Sequence, residues 1–112
     1  MTRVDLNADM GESFGPWKMG DDASLLKVVT SANIACGGHA GDPDVLAHTL
    51  TLARDNDVGS GAHPGFMDLQ GFGRQRMSIP RGTLQNMIRY QVAAHVGMAR
   101  SVGAQVRHLK LH

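Results

Sequence analysis

The chain has 112 residues, of which 42% are hydrophobic and 19% are charged, and 11 basic against 10 acidic side chains leave a formal net charge of +1. This composition is typical of a single globular domain over residues 1–112, and it speaks against disordered, membrane-spanning and nucleic-acid-binding proteins. The single cysteine excludes an internal disulfide. Together with the absence of an apolar leader, it predicts a cytoplasmic protein.

The first predicted element is a short strand over residues 4–8. Its apolar and polar side chains alternate, so one face would pack under helices and the other would carry carboxylates and an amide. The apolar set is Val4, Leu6 and Ala8, and the polar set is Asp5, Asn7 and Asp9.

Hydrophobic periodicity and capping residues predict the elements that follow. Asp42 is a good N-cap, and Pro43 then falls at the first helical position, where its missing N–H costs nothing. Ser78 is expected to cap the last helix, and Gly103 to end it. In chain order the elements are a helix over 21–29, a strand over 30–35, a helix over 43–55, a strand over 58–62, a helix over 78–102 and a strand over 106–111.

The apolar stripe of the last helix is expected to face the sheet. His95 falls within it, which predicts a core histidine, whereas His48 lies off the apolar face of its own helix and is expected to be exposed. Cys36 is interpreted as a small packed side chain. The stripe consists of Leu84, Ile88, Val92, Val96 and Ala99.

The alternation of strands and helices predicts an α/β fold with a parallel sheet. A complete (β/α) barrel needs roughly twice this length, so the chain is expected to form about four strands of one. An open sheet edge invites pairing with another chain, which predicts a homo-oligomer.

Polar side chains stand at the end of each predicted strand. Because the carboxyl ends of parallel strands meet at one edge of the sheet, these side chains are expected to converge. Histidine and carboxylate together can bind a divalent metal, with Asp9, His39 and His63 as candidate ligands, or act as acid and base. Lys110 could stabilise a developing oxyanion or a phosphate. The candidates are Asn7, Asp9 and Glu12 around the first strand, His39 after the second, His63 after the third, and Lys110 and His112 on the fourth.

Each candidate also has a purely structural interpretation. Asp9 and Glu12 could be solvated loop residues, and His112, as the terminal residue, could be frayed. Arg74 lies in a long loop over residues 66–77, where it is either a surface residue or binds a substrate anion. No phosphate-loop or dinucleotide-binding motif occurs.

Taken together, seven segments resemble the LamB/YcsF family. The resemblance covers essentially the whole chain but only the N-terminal half of a family member. The segments are Asp5–Glu12, Ser31–Gly37, His39–Asp42, Gly61–Pro64, Phe72–Arg74, Tyr90–Val92 and Arg107–His112.

The resemblance implies the first half of an incomplete seven-stranded (β/α) barrel of the glycoside hydrolase/deacetylase type. It further implies the A subunit of a 5-oxoprolinase, which uses ATP to open 5-oxo-L-proline (pyroglutamate) to L-glutamate in complex with subunits B and C. This half alone is expected to be inactive. Catalysis would fall on Asp9, His39, His63, Lys110 and His112, and substrate binding on Asn7, Glu12, Asn33 and Arg74.

Two other functions stay open. One is a metal-dependent amide or acetyl hydrolase that works without ATP. The other is a non-catalytic assembly subunit, whose apolar strip of Phe66, Leu69 and Phe72 would face a partner.

Three positions depart from the family pattern. Gly38 replaces a usual aromatic residue and is expected to loosen the wall beside His39. Leu111 replaces a proline and is expected to alter the pose of His112, and Met67 stands where a proline is frequent.

Overall fold

The computed structural model describes all residues, 1–112, and contains one sheet with three helices. The four strands lie in the order β1-β2-β3-β4 and all neighbours pair in parallel, which confirms the predicted α/β architecture. No helix is both long and apolar enough to cross a membrane. The elements are β1 (Asn7–Met10), α1 (Asp22–Leu25), β2 (Ser31–Ala35), α2 (Pro43–Asp55), β3 (Gly59–His63), α3 (Arg81–Val102) and β4 (Val106–Leu109).

The hydrophobic core lies between one face of the sheet and the helices. Alternate residues of β2, Ala32 and Ile34, point into it, so the residues between them face the opposite side of the sheet. Aliphatic packing of this kind anchors the strands from which the polar side chains project. The core consists of Met10, Leu26, Val29, Ala32, Ile34, Leu46, Leu50, Ala53, Val58 and Ala99.

Helix α2 has the predicted bounds because its capping residues act as expected. The Asp42 carboxylate accepts a hydrogen bond from Val45 N–H at 2.9 Å, and Pro43 occupies the first turn. A second hydrogen bond, 2.7 Å from Gly15 N–H to the same carboxylate, fixes the loop after β1 against this helix. Gly103 ends α3 in the left-handed conformation with φ 75°.

The predicted start of the first strand is wrong. β1 begins at Asn7, and Val4 and Leu6 are 78% and 49% exposed. The pairing register with β2 opens at Asn7 opposite Ser31, so the paired strand starts there. The predicted alternation still holds from Asn7 onward, because Met10 is buried while Asp9 lies on the other face.

Helix α3 differs from its prediction in its start and its buried face. It begins at Arg81, and Pro80 stands at the N-cap without a side-chain hydrogen bond, so Ser78 is not the cap. Its buried residues are Gln91, His95 and Ala99, whereas Val96 is 40% exposed. The prediction of His95 as a core residue is confirmed. The predicted stripe is wrong in part because two of the inward positions hold polar side chains.

The remaining elements are shorter or shifted. Helix α1 is a single turn that ends at Leu25, and β2 begins at Ser31. β3 includes His63 as its last residue, and β4 ends at Leu109. His48 is exposed, as predicted.

Candidate functional site

The predicted strand-end residues converge at the carboxyl edge of the sheet. Asp9 lies within β1 and Glu12 follows it, while His63 ends β3. His39 lies in the loop after β2, and Lys110 and His112 follow β4. Three histidine rings, those of His39, His63 and His112, have centroids within 3.7–5.3 Å of one another.

Glu12 and His39 form a close carboxylate–imidazole pair in the site. Glu12 Oε2 lies 2.6 Å from His39 Nε2, and the His39 side chain is fully buried. Gly11 makes this approach possible, since it turns the chain at φ 69° and a Cβ there would lie 2.8 Å from Ile34. A paired carboxylate and imidazole can hold and transfer a proton.

His63 is oriented by the strand next to it. Its Nδ1 lies 2.8 Å from the Lys110 carbonyl, and its Nε2 faces Asp9 Oδ2 at 3.5 Å and Glu12 Oε2 at 3.9 Å. Burial lowers the pKa of His63, and its hydrogen bond to the Lys110 carbonyl opposes this only in part. The neutral form of the His63 ring is therefore favoured more strongly than that of a free histidine in water.

His112 is held in place at three points and is not frayed. Its backbone N–H donates to the Pro64 carbonyl at 3.0 Å, and its ring Nε2–H donates to the Phe72 carbonyl at 2.8 Å. The ring stacks on His39 with an interplanar angle of 2°. Leu111, which precedes His112, is 55% exposed.

Lys110 and Asp9 form an ion pair at the open side of the site. The Lys110 ammonium lies 2.9 and 3.1 Å from the two Asp9 oxygens. Burial alone would raise the pKa of Asp9, but hydrogen bonds from Lys110 and Asn33 outweigh it and lower that pKa. Both side chains are partly exposed and remain accessible to a small molecule.

A network of amides supports Asp9 along the polar face of the sheet. The Asn33 side chain is buried and donates to Asp9 at 2.9 Å, while it exchanges hydrogen bonds with Asn7. His108, which is not among the predicted site residues, donates to Asn33 at 2.7 Å. Its place in the sequence, on the same strand face as Lys110, is the signal that could have found it.

Arg74 does not contact the polar cluster directly. It is exposed, and its guanidinium carbon lies 5.0 Å above the Phe72 ring centroid. Phe72 in turn packs edge-on against His39 and His112, at 5.2 and 4.9 Å. This loop aromatic thus closes one side of the site, while Leu69 remains 44% exposed.

Gly38 does not loosen the wall beside His39, contrary to expectation. A Cβ at this position would lie 2.4 Å from Gln91 Oε1 and 2.7 Å from the Gly65 carbonyl. Gln91 is buried and binds both the N–H and the carbonyl of Gly65, at 3.0 and 2.7 Å. The sequence gives no sign of this supporting role, because Gln91 falls on an inward helix position where an apolar side chain is usual.

Comparison with known proteins identifies the family. Residues 4–112 match the LamB/YcsF family. The chain belongs to this family. It is 74% identical over 112 residues to the 5-oxoprolinase A subunit of Ruegeria pomeroyi, and the match covers 100% of this chain and 44% of that protein. It is 52% identical over 110 residues to the Pyrococcus horikoshii protein of the same name, with 98% and 43% covered.

A solved structure confirms the fold of this LamB/YcsF chain. The crystal structure of the lactam utilization protein from Thermus thermophilus superposes with a TM-score of 0.96 at 40% identity, and the match covers 99% of this chain and 45% of that one. This family member therefore spans less than half the length of the relatives it matches, and its four strands correspond to part of a TIM-like barrel.

Proposed function

We propose that this chain supplies the N-terminal part of a 5-oxoprolinase active site, which opens 5-oxo-L-proline to L-glutamate with ATP and with subunits B and C. One observation carries the proposal. Carboxylate, imidazole and ammonium groups converge at the carboxyl edge of the sheet, in a chain 74% identical to a protein named as the A subunit of 5-oxoprolinase. Active sites of parallel α/β barrels lie at this edge.

The Glu12–His39 pair is suited to activate water. Hydrolysis requires a C–O bond to form at the lactam carbonyl, the ring C–N bond to break, and the ring nitrogen to gain a proton. A carboxylate 2.6 Å from a buried imidazole can take a proton from water and return it to the leaving nitrogen. His63, adjacent to both groups, would hold the water in place.

Lys110 is suited to stabilise the negative charge that develops on the carbonyl oxygen. Its ammonium is fixed by Asp9, and preorganised charge of this kind is a large source of catalysis. Asn33 orients the Asp9 carboxylate from behind, so the ion pair keeps its direction toward the open side.

ATP remains a prediction for the whole enzyme, and two features of this chain bear on where a phosphate could bind. The N-terminus of α2, where a phosphate would be expected to bind, is taken by the Asp42 carboxylate and is followed by Asp44. The sequence also lacks the phosphate-binding motifs. We therefore assign no ATP contact to this chain.

A metal-dependent hydrolase that works without ATP is the second candidate. The observation in its favour is the group of Glu12, His39, His63 and His112, whose ligand atoms lie within 4.8 Å of one another. It differs from the predicted ligand set, because Glu12 and His112 take the place of Asp9, which is engaged by Lys110.

A purely assembling role is less well supported. Leu69 is exposed and available to a partner, but the Phe72 ring is turned toward His39 and His112. Cytoplasmic location and self-association stay predictions.

The test is a full-length chimera in which these 112 residues replace the matching part of the Ruegeria pomeroyi protein, combined with subunits B and C. The proposal predicts glutamate formation from 5-oxoproline only when ATP is present. Glutamate formation at the same rate without ATP would support the metal-dependent hydrolase instead. A preparation that assembles and remains active after His39→Ala and His63→Ala would support the assembly role.

A further inference from the structure

The hydrogen bonding of His63 fixes which of its nitrogens carries a proton. Nδ1 lies 2.8 Å from the Lys110 carbonyl oxygen, and a carbonyl can only accept. In the neutral ring the proton is therefore on Nδ1, and Nε2 holds a free lone pair. The side chain is fully buried, and Nε2 has no hydrogen-bond partner.

That lone pair faces two carboxylates. Nε2 lies 3.5 Å from Asp9 Oδ2 and 3.9 Å from Glu12 Oε2, and ionised carboxylate oxygens also only accept. Lys110, the nearby ammonium, is already bound by Asp9. Glu12 Oε2 also lies 2.6 Å from His39 Nε2, but no donor reaches His63 Nε2, which is buried and unpartnered beside the two carboxylates. A buried lone pair next to carboxylate oxygens suits a cation.

Two more imidazoles border the same point. His39 and His112 stack at 3.7 Å, and both rings meet His63 edge-on. His112 Nε2–H donates to the Phe72 carbonyl, so its Nδ1 holds the lone pair. Metal-binding histidines usually donate their second N–H to such a carbonyl, and here both His63 and His112 do.

We propose that Glu12, His39, His63 and His112 bind one divalent transition-metal ion. Imidazole nitrogen with carboxylate oxygen is the ligand set that Zn²⁺ and its neighbours in the first transition row prefer. The ligand atoms lie within 4.8 Å of one another. When bound, the ion would supply Lewis acidity to the site. The site is inferred from these side chains alone and does not depend on the substrate proposed above.

The test is isothermal titration of the metal-free chain with Zn²⁺, with Co²⁺ absorption as a second reading of histidine coordination. We expect one equivalent to bind. His63→Gln and Glu12→Gln should each weaken binding by at least about 100-fold, because even changes in the groups that orient a ligand cost about 10- to 100-fold. The matched control is His48→Gln, an exposed histidine outside the cluster, which should bind Zn²⁺ like the parent chain.

Nitrogen-detected NMR of the imidazole rings provides a readout that needs no variant. Without metal, His63 should be the Nδ1–H form, and Zn²⁺ should shift the signal of its Nε2. Unchanged His63 signals at saturating Zn²⁺, or equal affinity in the parent, His63→Gln and Glu12→Gln, would overturn the proposal. Neither measurement uses 5-oxoproline, ATP or partner proteins, so a negative result here leaves the proposed function standing, and failed hydrolysis leaves the metal site standing.

Discussion

His95 offers a quantitative test of the core, because it is a fully buried histidine without a partner. Its side chain is 0% exposed, and neither ring nitrogen has a hydrogen-bond partner. Burial lowers its pKa from 6.5 to about 4. Between these two values the unfolded chain binds more protons than the folded one, so folding stability falls as the pH drops through this window and is fully retained above 6.5.

The size of the effect follows from that shift. Each pKa unit corresponds to about 1.4 kcal/mol. Acidification from pH 7 to pH 5 should therefore lower the free energy of unfolding of the parent chain by about 2 kcal/mol, because His95 is protonated more readily in the unfolded chain. His95→Leu removes this loss. At pH 7 it also removes two unsatisfied buried nitrogens, which should raise the free energy of unfolding by about 1 kcal/mol. The stability difference between variant and parent should therefore grow to about 3 kcal/mol at pH 5.

Urea unfolding followed by circular dichroism at pH 7 and pH 5 measures this difference. His48→Gln, which removes an exposed histidine, is the control and should change with pH as the parent does. If His95→Leu is less stable at pH 7 and shows the parent's pH dependence, then His95 has a polar partner and the reasoning fails.

Three further predictions concern other parts of the structure. Gly38→Ala should displace Gln91 and lower the free energy of unfolding, measured in urea, by about 1–3 kcal/mol. The control is Gly82→Ala, where a Cβ meets nothing within 4 Å and the change should be neutral or stabilising. Equal effects of the two substitutions would contradict the close packing of Gly38 against Gln91. Burial raises the pKa of the Cys36 thiol to about 11, so a disulfide reagent at pH 8 should modify it only after urea unfolding, and rapid modification of the native chain would argue against its burial. Asp42→Ala should lower the free energy of unfolding, measured by thermal unfolding, by about 1 kcal/mol, and Asp42→Asn should lower it much less because asparagine also caps helices. Similar losses in the two variants would exclude helix capping as the cause.

Local sequence signals predicted the sheet and α2 well. Asp42 and Pro43 define a helix start that depends on neighbouring residues only, so its bounds could be read directly. The strand-end positions of His39 and His63 likewise follow from parallel strand order. Both predictions needed no knowledge of distant contacts.

What could not be predicted depends on contacts between distant segments. The Glu12–His39 pair, 27 residues apart, needs the positive φ of Gly11 to direct Glu12 inward. Gln91 and His95 are polar residues on an inward helix face, and only the packed structure shows that one is fully hydrogen-bonded and the other is not. The predicted start of β1 is wrong because pairing with β2 begins only at Asn7, and the apolar Val4 and Leu6 before it are exposed.

The most direct measurement is ATP-dependent glutamate release by the reconstituted full-length enzyme carrying His39→Ala or His63→Ala. We expect a fall in turnover of at least about 100-fold for each, since a positioned acid or base contributes about 10²- to 10⁴-fold. His48→Ala, at an exposed site outside the cluster, should keep the parent rate. Parent-level turnover in both His39→Ala and His63→Ala would contradict the assignment of this edge of the sheet as the active site.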